Sequence, residues 1–300
     1  MIAVPLARKI GDMPKSRRRP PTVRARRLGA ELRRLREAAG FTLEQAAEAI
    51  ECHPSMLSRI ETGHRNIRPL ELRALLDKYG VTDEERREAL LTLSRESKRR
   101  DWWHSYSDVL ARPYQDLISL EVRASSLRIY HTQVIPGLFQ TAGYAYAVIQ
   151  AVRVGDAPEA IQRRVDARMA RQEILRREPP PEVWLVLDEA ALRRAPTADP
   201  GVMRDQLEHL LEVADLPHVT LQVLPFSAGL HAGVDGAFTF LAFPEVEGPS
   251  IVYLESLTGG LYIEKEPDVD RYARVFDHLR ASALPEAASR RMIVECRKEY

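Results

Sequence analysis

The segment Thr42–Glu61, TLEQAAEAIECHPSMLSRIE, constrains this chain more than any other. Thr42 can cap a helix over Leu43–Ile50, and Gln45 at its third position completes a capping box. After a turn of three or four residues, Pro54 stands where the first turn of a second helix, Pro54–Glu61, tolerates proline, and Gly63 ends that helix. Ala46 and Ala47 are small enough for the two helices to cross closely. Ile50, Leu57 and Ile60 fill the wedge between them and their neighbours. The second helix then projects Pro54, Ser55, Ser58 and Arg59 outward. An α-helix fits the DNA major groove, where Arg is the commonest bidentate reader of guanine. An ordinary helical hairpin inside a larger α domain would read the same way, so the context decides.

That context is helical. Leu28, Leu32 and Leu35 repeat at helix spacing, and their helix stops at Gly40. A fourth helix is expected over Pro69–Tyr79, ended by Gly80, and a fifth from Asp83 through Leu90, Leu91 and Leu93. Ahead of them, residues 1–23 hold Pro5, Pro14, Pro20, Pro21 and the run Lys15-Ser16-Arg17-Arg18-Arg19 without a hydrophobic period. A disordered basic arm is the expectation there. The net charge of +1 hides a division: residues 1–100 carry 23 Lys+Arg against 14 Asp+Glu, and residues 101–300 carry 21 against 29. The first third therefore suits a polyanion partner. A solvated basic tail with no partner is the competing explanation of charge alone.

Three hundred residues suggest two domains, here 24–98 and 99–300 after the arm. With 45% hydrophobic and 29% charged residues, wholesale disorder is excluded. The uncharged windows 129–152 and 216–234 are broken by Pro, Gly, His and Gln, so no membrane span is expected. The apolar run Ile2–Ala7 is too short for a signal-peptide core. Cys52 and Cys296 belong to no CxxC or Cys/His cluster, which points to a reducing cytoplasm without a disulfide scaffold or structural zinc.

From Trp102-Trp103 onward the composition mixes helical and strand-like runs. Strands are expected at Leu127–His131, Val183–Leu187, Val219–Leu224, Ala237–Phe243, Ile251–Leu254 and Leu261–Ile263. Helices are expected at Tyr114–Ala124, Ala142–Val152, Pro158–Arg177, Val202–Ala214 and Asp268–Ala281. Without a regular βα alternation, the expected class is an all-α five-helix N-terminal domain followed by a larger α+β domain.

Residues 28–79, LGAELRRLREAAGFTLEQAAEAI followed by SMLSRIETGHRNIRPLELRALLDKYG, resemble the Xre or phage-repressor type of helix-turn-helix domain. The resemblance implies base contacts from Pro54, Ser55 and Arg59. It implies phosphate contacts from Thr42, the Leu43 backbone N–H and His53, and a structural ion pair between Arg36 and Glu61. Arg17, Arg18, Arg19 and Arg26 are expected to add phosphate contacts without sequence preference. Glu51 departs from the pattern, standing where this type usually has Gly. The segments 134–149, 168–175, 187–194, 222–238 and 251–256 resemble a large C-terminal domain of unknown function found in actinomycetes. Its WhiJ-like members are regarded as developmental or antitoxin-like regulators, often paired with a small protein encoded nearby.

Several groups could carry chemistry, each with a blander explanation beside it. Asp188-Glu189 and Glu255 follow strands, but would equally cap helices or pair with Arg193 and Arg194. His231 lies in a Gly-rich loop, Gly229 to Gly236, that suits turns as well as a ligand lid. Trp102-Trp103 could stack bases or anchor a domain junction. No HExxH, Walker or GxGxxG motif occurs, so no metal, cofactor or enzymatic activity is expected. The expected function is a sequence-specific DNA-binding transcription regulator of the cytoplasm and nucleoid. Its second domain would dimerise it and sense a partner or ligand. The alternative is an antitoxin-like protein whose main task is to bind a small protein, with DNA binding as autoregulation.

Overall fold

The computed structural model describes residues 23–96, 102–196, 199–244, 248–257 and 259–300. The basic arm, with Arg17, Arg18 and Arg19, lies outside the described residues apart from Val23, which opens the first helix.

The N-terminal helices are α1 (Val23–Ala38), α2 (Leu43–Glu48), α3 (Pro54–Glu61), α4 (Pro69–Lys78) and α5 (Glu84–Glu96). Their shared core contains Leu28, Leu32, Leu57, Ile60, Leu72, Leu75, Leu76 and Leu90, all under 5% exposed. Burying each such side chain contributes roughly 1.5–3 kcal/mol. Helix α1 crosses the end of α3 at very close range. A Cβ on Gly29 would stand 2.4 Å from the Glu61 carbonyl oxygen and 2.5 Å from that of Ile60, so only glycine fits. Gly63, just past α3, repeats the constraint from the other side: its φ is +74° and a Cβ there would meet the Arg26 backbone at 2.8 Å.

The second domain opens with a 3-10 turn, Trp102–Tyr106, and α6 (Arg112–Glu121). Then follow β1 (Ser126–His131), α7 (Ala142–Val152), α8 (Pro158–Arg171), β2 (Glu182–Asp188), α9 (Glu189–Arg193), α10 (Pro200–Val213) and β3 (Val219–Leu224). The chain ends with β4 (Phe238–Ala242), β5 (Ile251–Ser256), β6 (Gly259–Ile263), α11 (Glu266–Ser282) and α12 (Glu286–Arg297). The strands form one sheet in the order β3-β2-β1-β4-β5-β6. β1, β2 and β3 run parallel, while β4, β5 and β6 continue the sheet antiparallel. The domain is α+β.

Strand alternation divides the side chains between two cores. Leu127 and Ile129, Leu185 and Leu187, Leu221 and Val223, Leu241, Ile251 and Tyr253 face α6, α7, α10 and α12. Tyr130, Val186, Leu224, Phe238, Phe240 and Val252 face α11. β4 is covered on both sides, as its continuous apolar run implies.

Three features depart from the sequence expectations, the first being the short helix α9, which no expected helix covers. The helix expected over Pro158–Arg177 is α8 followed by a tighter 3-10 turn, Gln172–Arg176. Helix α12 was not anticipated: Ser289 takes one of its core positions, where the hydroxyl accepts from Val223 N at 2.8 Å, and this thins the apolar stripe.

Trp103 is buried with Val109, Leu110, Ile118 and Ala167, so it anchors the start of the second domain internally, while Trp102 stays partly exposed. Helix α1 also touches the second domain. Arg26 pairs with Glu264 at 3.0 Å, and the Arg27 guanidinium lies 3.7 Å over the Phe243 ring.

Candidate nucleic-acid interface

The geometry of Thr42–Glu61 follows from its caps. Gln45 N–H donates to Thr42 Oγ1 at 3.3 Å, and Thr42 N–H donates to Gln45 Oε1 at 2.9 Å, a complete capping box. At the next helix His53 is the cap: Ser55 N–H donates to His53 Nδ1 at 3.2 Å, which places the ring proton on Nε2. Ser55 Oγ also lies 2.8 Å from that nitrogen. Between the helices Glu51 has φ +47°, the only left-handed backbone outside glycine among the described residues. The turn is retained without its usual glycine, at a cost of about 1–2 kcal/mol.

Ala46 and Ala47 are buried where α2 and α3 cross, and Leu57 and Ile60 hold α3 to the core. The opposite face of α3 carries Pro54, Ser55, Ser58 and Arg59, with Ser55 and Arg59 exposed. Arg59 has no ion pair among the described residues. The far end of α3 is fixed by Arg36. Its Nε and one terminal nitrogen donate to the two Glu61 carboxylate oxygens at 2.7 and 3.0 Å, and its other terminal nitrogen donates to Phe41 O at 3.0 Å. The hydrogen bonds to Glu61 raise the Arg36 value above that of a free guanidinium, despite burial.

Thr42, the Leu43 backbone N–H and His53 flank α3 at helix starts, where free N–H groups and the helix dipole favour anions. Arg26 does not stand beside them; its guanidinium is engaged with Glu264 and would have to leave it to reach a phosphate. Two exposed arginines that the motif did not single out, Arg65 and Arg68, follow α3. Their only sequence signal was their place just beyond the second helix.

In the second domain the carboxylates after strands have separate fates. Asp188 caps α9, accepting from Ala190 N at 2.8 Å. Glu189 pairs with Arg193 at 2.7 Å and accepts from Phe226 N at 2.9 Å. Glu255 does neither and faces a cavity. His231 accepts from Gly233 N at 3.2 Å and meets the Tyr130 ring edge-on.

A two-helix element with one buried and one exposed face, capped at both helix starts, defines the N-terminal domain as a helix-turn-helix unit. Residues 27–89 match the family model described as a helix-turn-helix domain. Residues 114–295 match the model described as a domain of unknown function, DUF5753, and the chain belongs to that family. No curated protein and no solved structure matches the chain. Among the described residues no helix is long and apolar enough to cross a membrane.

Proposed function

We propose that the chain is a sequence-specific, DNA-binding transcription regulator in which α3 enters the major groove. Arg59 reads a base edge there, with Pro54 and Ser55 beside it. Thr42, the Leu43 N–H, His53 and the arm with Arg17, Arg18 and Arg19 hold phosphates, while Arg26 stays with Glu264. The observation that carries this reading is the exposed Arg59, without an ion pair among the described residues, on a helix whose other face and both ends are pinned. A fixed helix gives a guanidinium the direction that bidentate recognition needs.

The second domain is not an enzyme in this reading; it dimerises the chain and senses a partner or ligand. One helix-turn-helix unit buries only roughly 600–1,000 Å² on DNA, so two copies a helical turn apart suit specific affinity better. The antitoxin-like alternative draws support from three exposed apolar side chains at one end of the sheet domain. Val152, Val154 and Leu257 are 60%, 92% and 88% exposed, a surface that a small protein partner would cover.

Selection from random duplexes with the full chain tests the first reading. Enrichment of a pseudo-palindrome is the expected result. Arg59→Ala should then lose about 1–3 kcal/mol on the enriched site and flatten preference at one base pair per half-site. Equal loss on every sequence makes Arg59 a phosphate contact, and no enrichment at all sinks the regulator. Sedimentation as a monomer on its site removes the dimer. Deleting residues 1–98 and retaining capture of a neighbouring-gene protein favours the alternative.

A further inference from the structure

The sheet changes character at β1. The chain passes from β1 to β2 to β3 in one direction, and then returns to place β4 on the other side of β1. A crevice opens outside the carboxyl ends of strands at such a reversal, and in open α/β sheets that is where ligands bind. Here it holds two adjoining cavities of about 140 and 190 Å³, both lined by Tyr114, Val152, Arg168, Tyr253 and Glu255. An engineered apolar cavity of about 150 Å³ accepts benzene, so the room here is that of a small organic molecule.

The polar lining is uneven. Arg164 and Arg168 lie one turn apart on α8, and each has a buried Nε–H with no acceptor. Arg168 spends a terminal nitrogen on the neutral Gln140 Oε1 at 2.6 Å and has no carboxylate partner among the described residues. Arg164 reaches Asp156 at 3.1 Å. Arg171, by contrast, is fully used by Glu121 and Tyr114 and serves as part of the wall. A buried donor left without an acceptor is costly, and a guanidinium without a counter-charge more so. Both costs disappear when an oxyanion enters. Across the crevice the exposed Glu255, on β5, lines both cavities and a larger neighbouring one, while His131 at the end of β1 lines the 190 Å³ cavity and the larger one. Burial holds the His131 imidazole below its ordinary 6.5, against the pull of Glu255, so the ring is neutral at pH 7.

We propose that this crevice binds a small organic anion, its carboxylate or phosphate held by Arg168 and Arg164 and its amine or hydroxyl facing Glu255. This extends the sensing role proposed above by naming a ligand class, and it can stand or fall without DNA.

Calorimetric titration of the full chain with inorganic phosphate, acetate and O-phosphoethanolamine tests it. Saturable binding of phosphate or acetate in the millimolar range or tighter is expected, and whichever binds better identifies the oxyanion. O-phosphoethanolamine, which adds an amine and no further acid, should bind more tightly than phosphate. Arg168→Gln should weaken the best probe by about tenfold or more. Arg164→Gln should weaken it in the same direction if Arg168→Gln proves unstable. Glu255→Gln should keep phosphate binding and lose the preference for O-phosphoethanolamine. Absence of saturable binding by all three probes overturns the proposal, as does binding that neither arginine substitution alters. Because DNA is absent from the titration, loss of sequence-specific DNA binding by the native chain would sink the regulator and leave this site intact.

Discussion

The Arg36 guanidinium and the Glu61 carboxylate meet in a two-pronged contact, 2.7 and 3.0 Å, at the end of α3 farthest from its cap. Both side chains are nearly out of water, at 11% and 5% exposure. Removing one member of such a pair strands the other charge, which costs about 3–5 kcal/mol, whereas an exposed pair would cost under about 1. Glu61→Ala should therefore lower the helix-turn-helix melting transition of the full chain sharply in scanning calorimetry. An unchanged transition would mean that the pair contributes little beyond its geometry.

Glu51 offers the opposite prospect. Its left-handed backbone is tolerated, and glycine would adopt it without strain. The relief is partly offset by the greater freedom of glycine in the unfolded chain. Glu51→Gly should raise stability by about 0.5–1 kcal/mol in urea unfolding, with DNA affinity unchanged because the turn is already formed. Destabilisation would place the role of Glu51 in its side chain.

Acid should loosen the N-terminal domain through Glu31. Burial pushes this carboxyl up, but the Arg34 and Arg86 guanidiniums outweigh it and hold it below its ordinary 4.5. A carboxylate with a lowered folded value stabilises above its unfolded value and loses that contribution as pH falls through the folded one. The bridge from α1 to Arg86 on α5 should thus fade below about pH 4.5. Glu31→Gln should lessen the acid dependence of the melting temperature there. A melting curve with the same pH dependence as the native chain would exclude Glu31 as its source.

Deleting residues 1–22 should weaken cognate and random DNA alike. Arm arginines neutralise phosphates, each releasing counterions and adding roughly 0.9 to the slope of log affinity against log salt. A shallower slope with unaltered site preference is the expected result in fluorescence anisotropy. A changed site preference would give the arm a reading role in a groove.

Much of this architecture was legible because short-range rules dominate it. The capping box at Thr42 and the proline start of α3 act within four residues, and both are present. The six strands were visible as apolar runs bounded by turn residues. Their pairing was not, because paired helices interrupt the chain between β1 and β2 and again between β2 and β3, which conceals the parallel half of the sheet. The anion crevice was harder still. No local pattern in the sequence marks Arg164 and Arg168, and only the fold brings them to Glu255, about ninety positions away. Arg26, expected as a phosphate contact, meets Glu264 from the far end of the chain.

The first two turns of α1 are wedged between both halves of the molecule. Gly29 allows α1 to lie directly on the last carbonyls of α3, while Arg26 and Arg27, one turn earlier, grip Glu264 and Phe243 of the sheet domain. Cβ atoms could not be inserted at Gly29 or Gly63 without collision, so α1 and the end of α3 lie in direct backbone contact. Helix α1 is thus the element on which the recognition helix and the sheet domain both rest, and the base-reading face of α3 stands one helix away from Glu264 and Phe243.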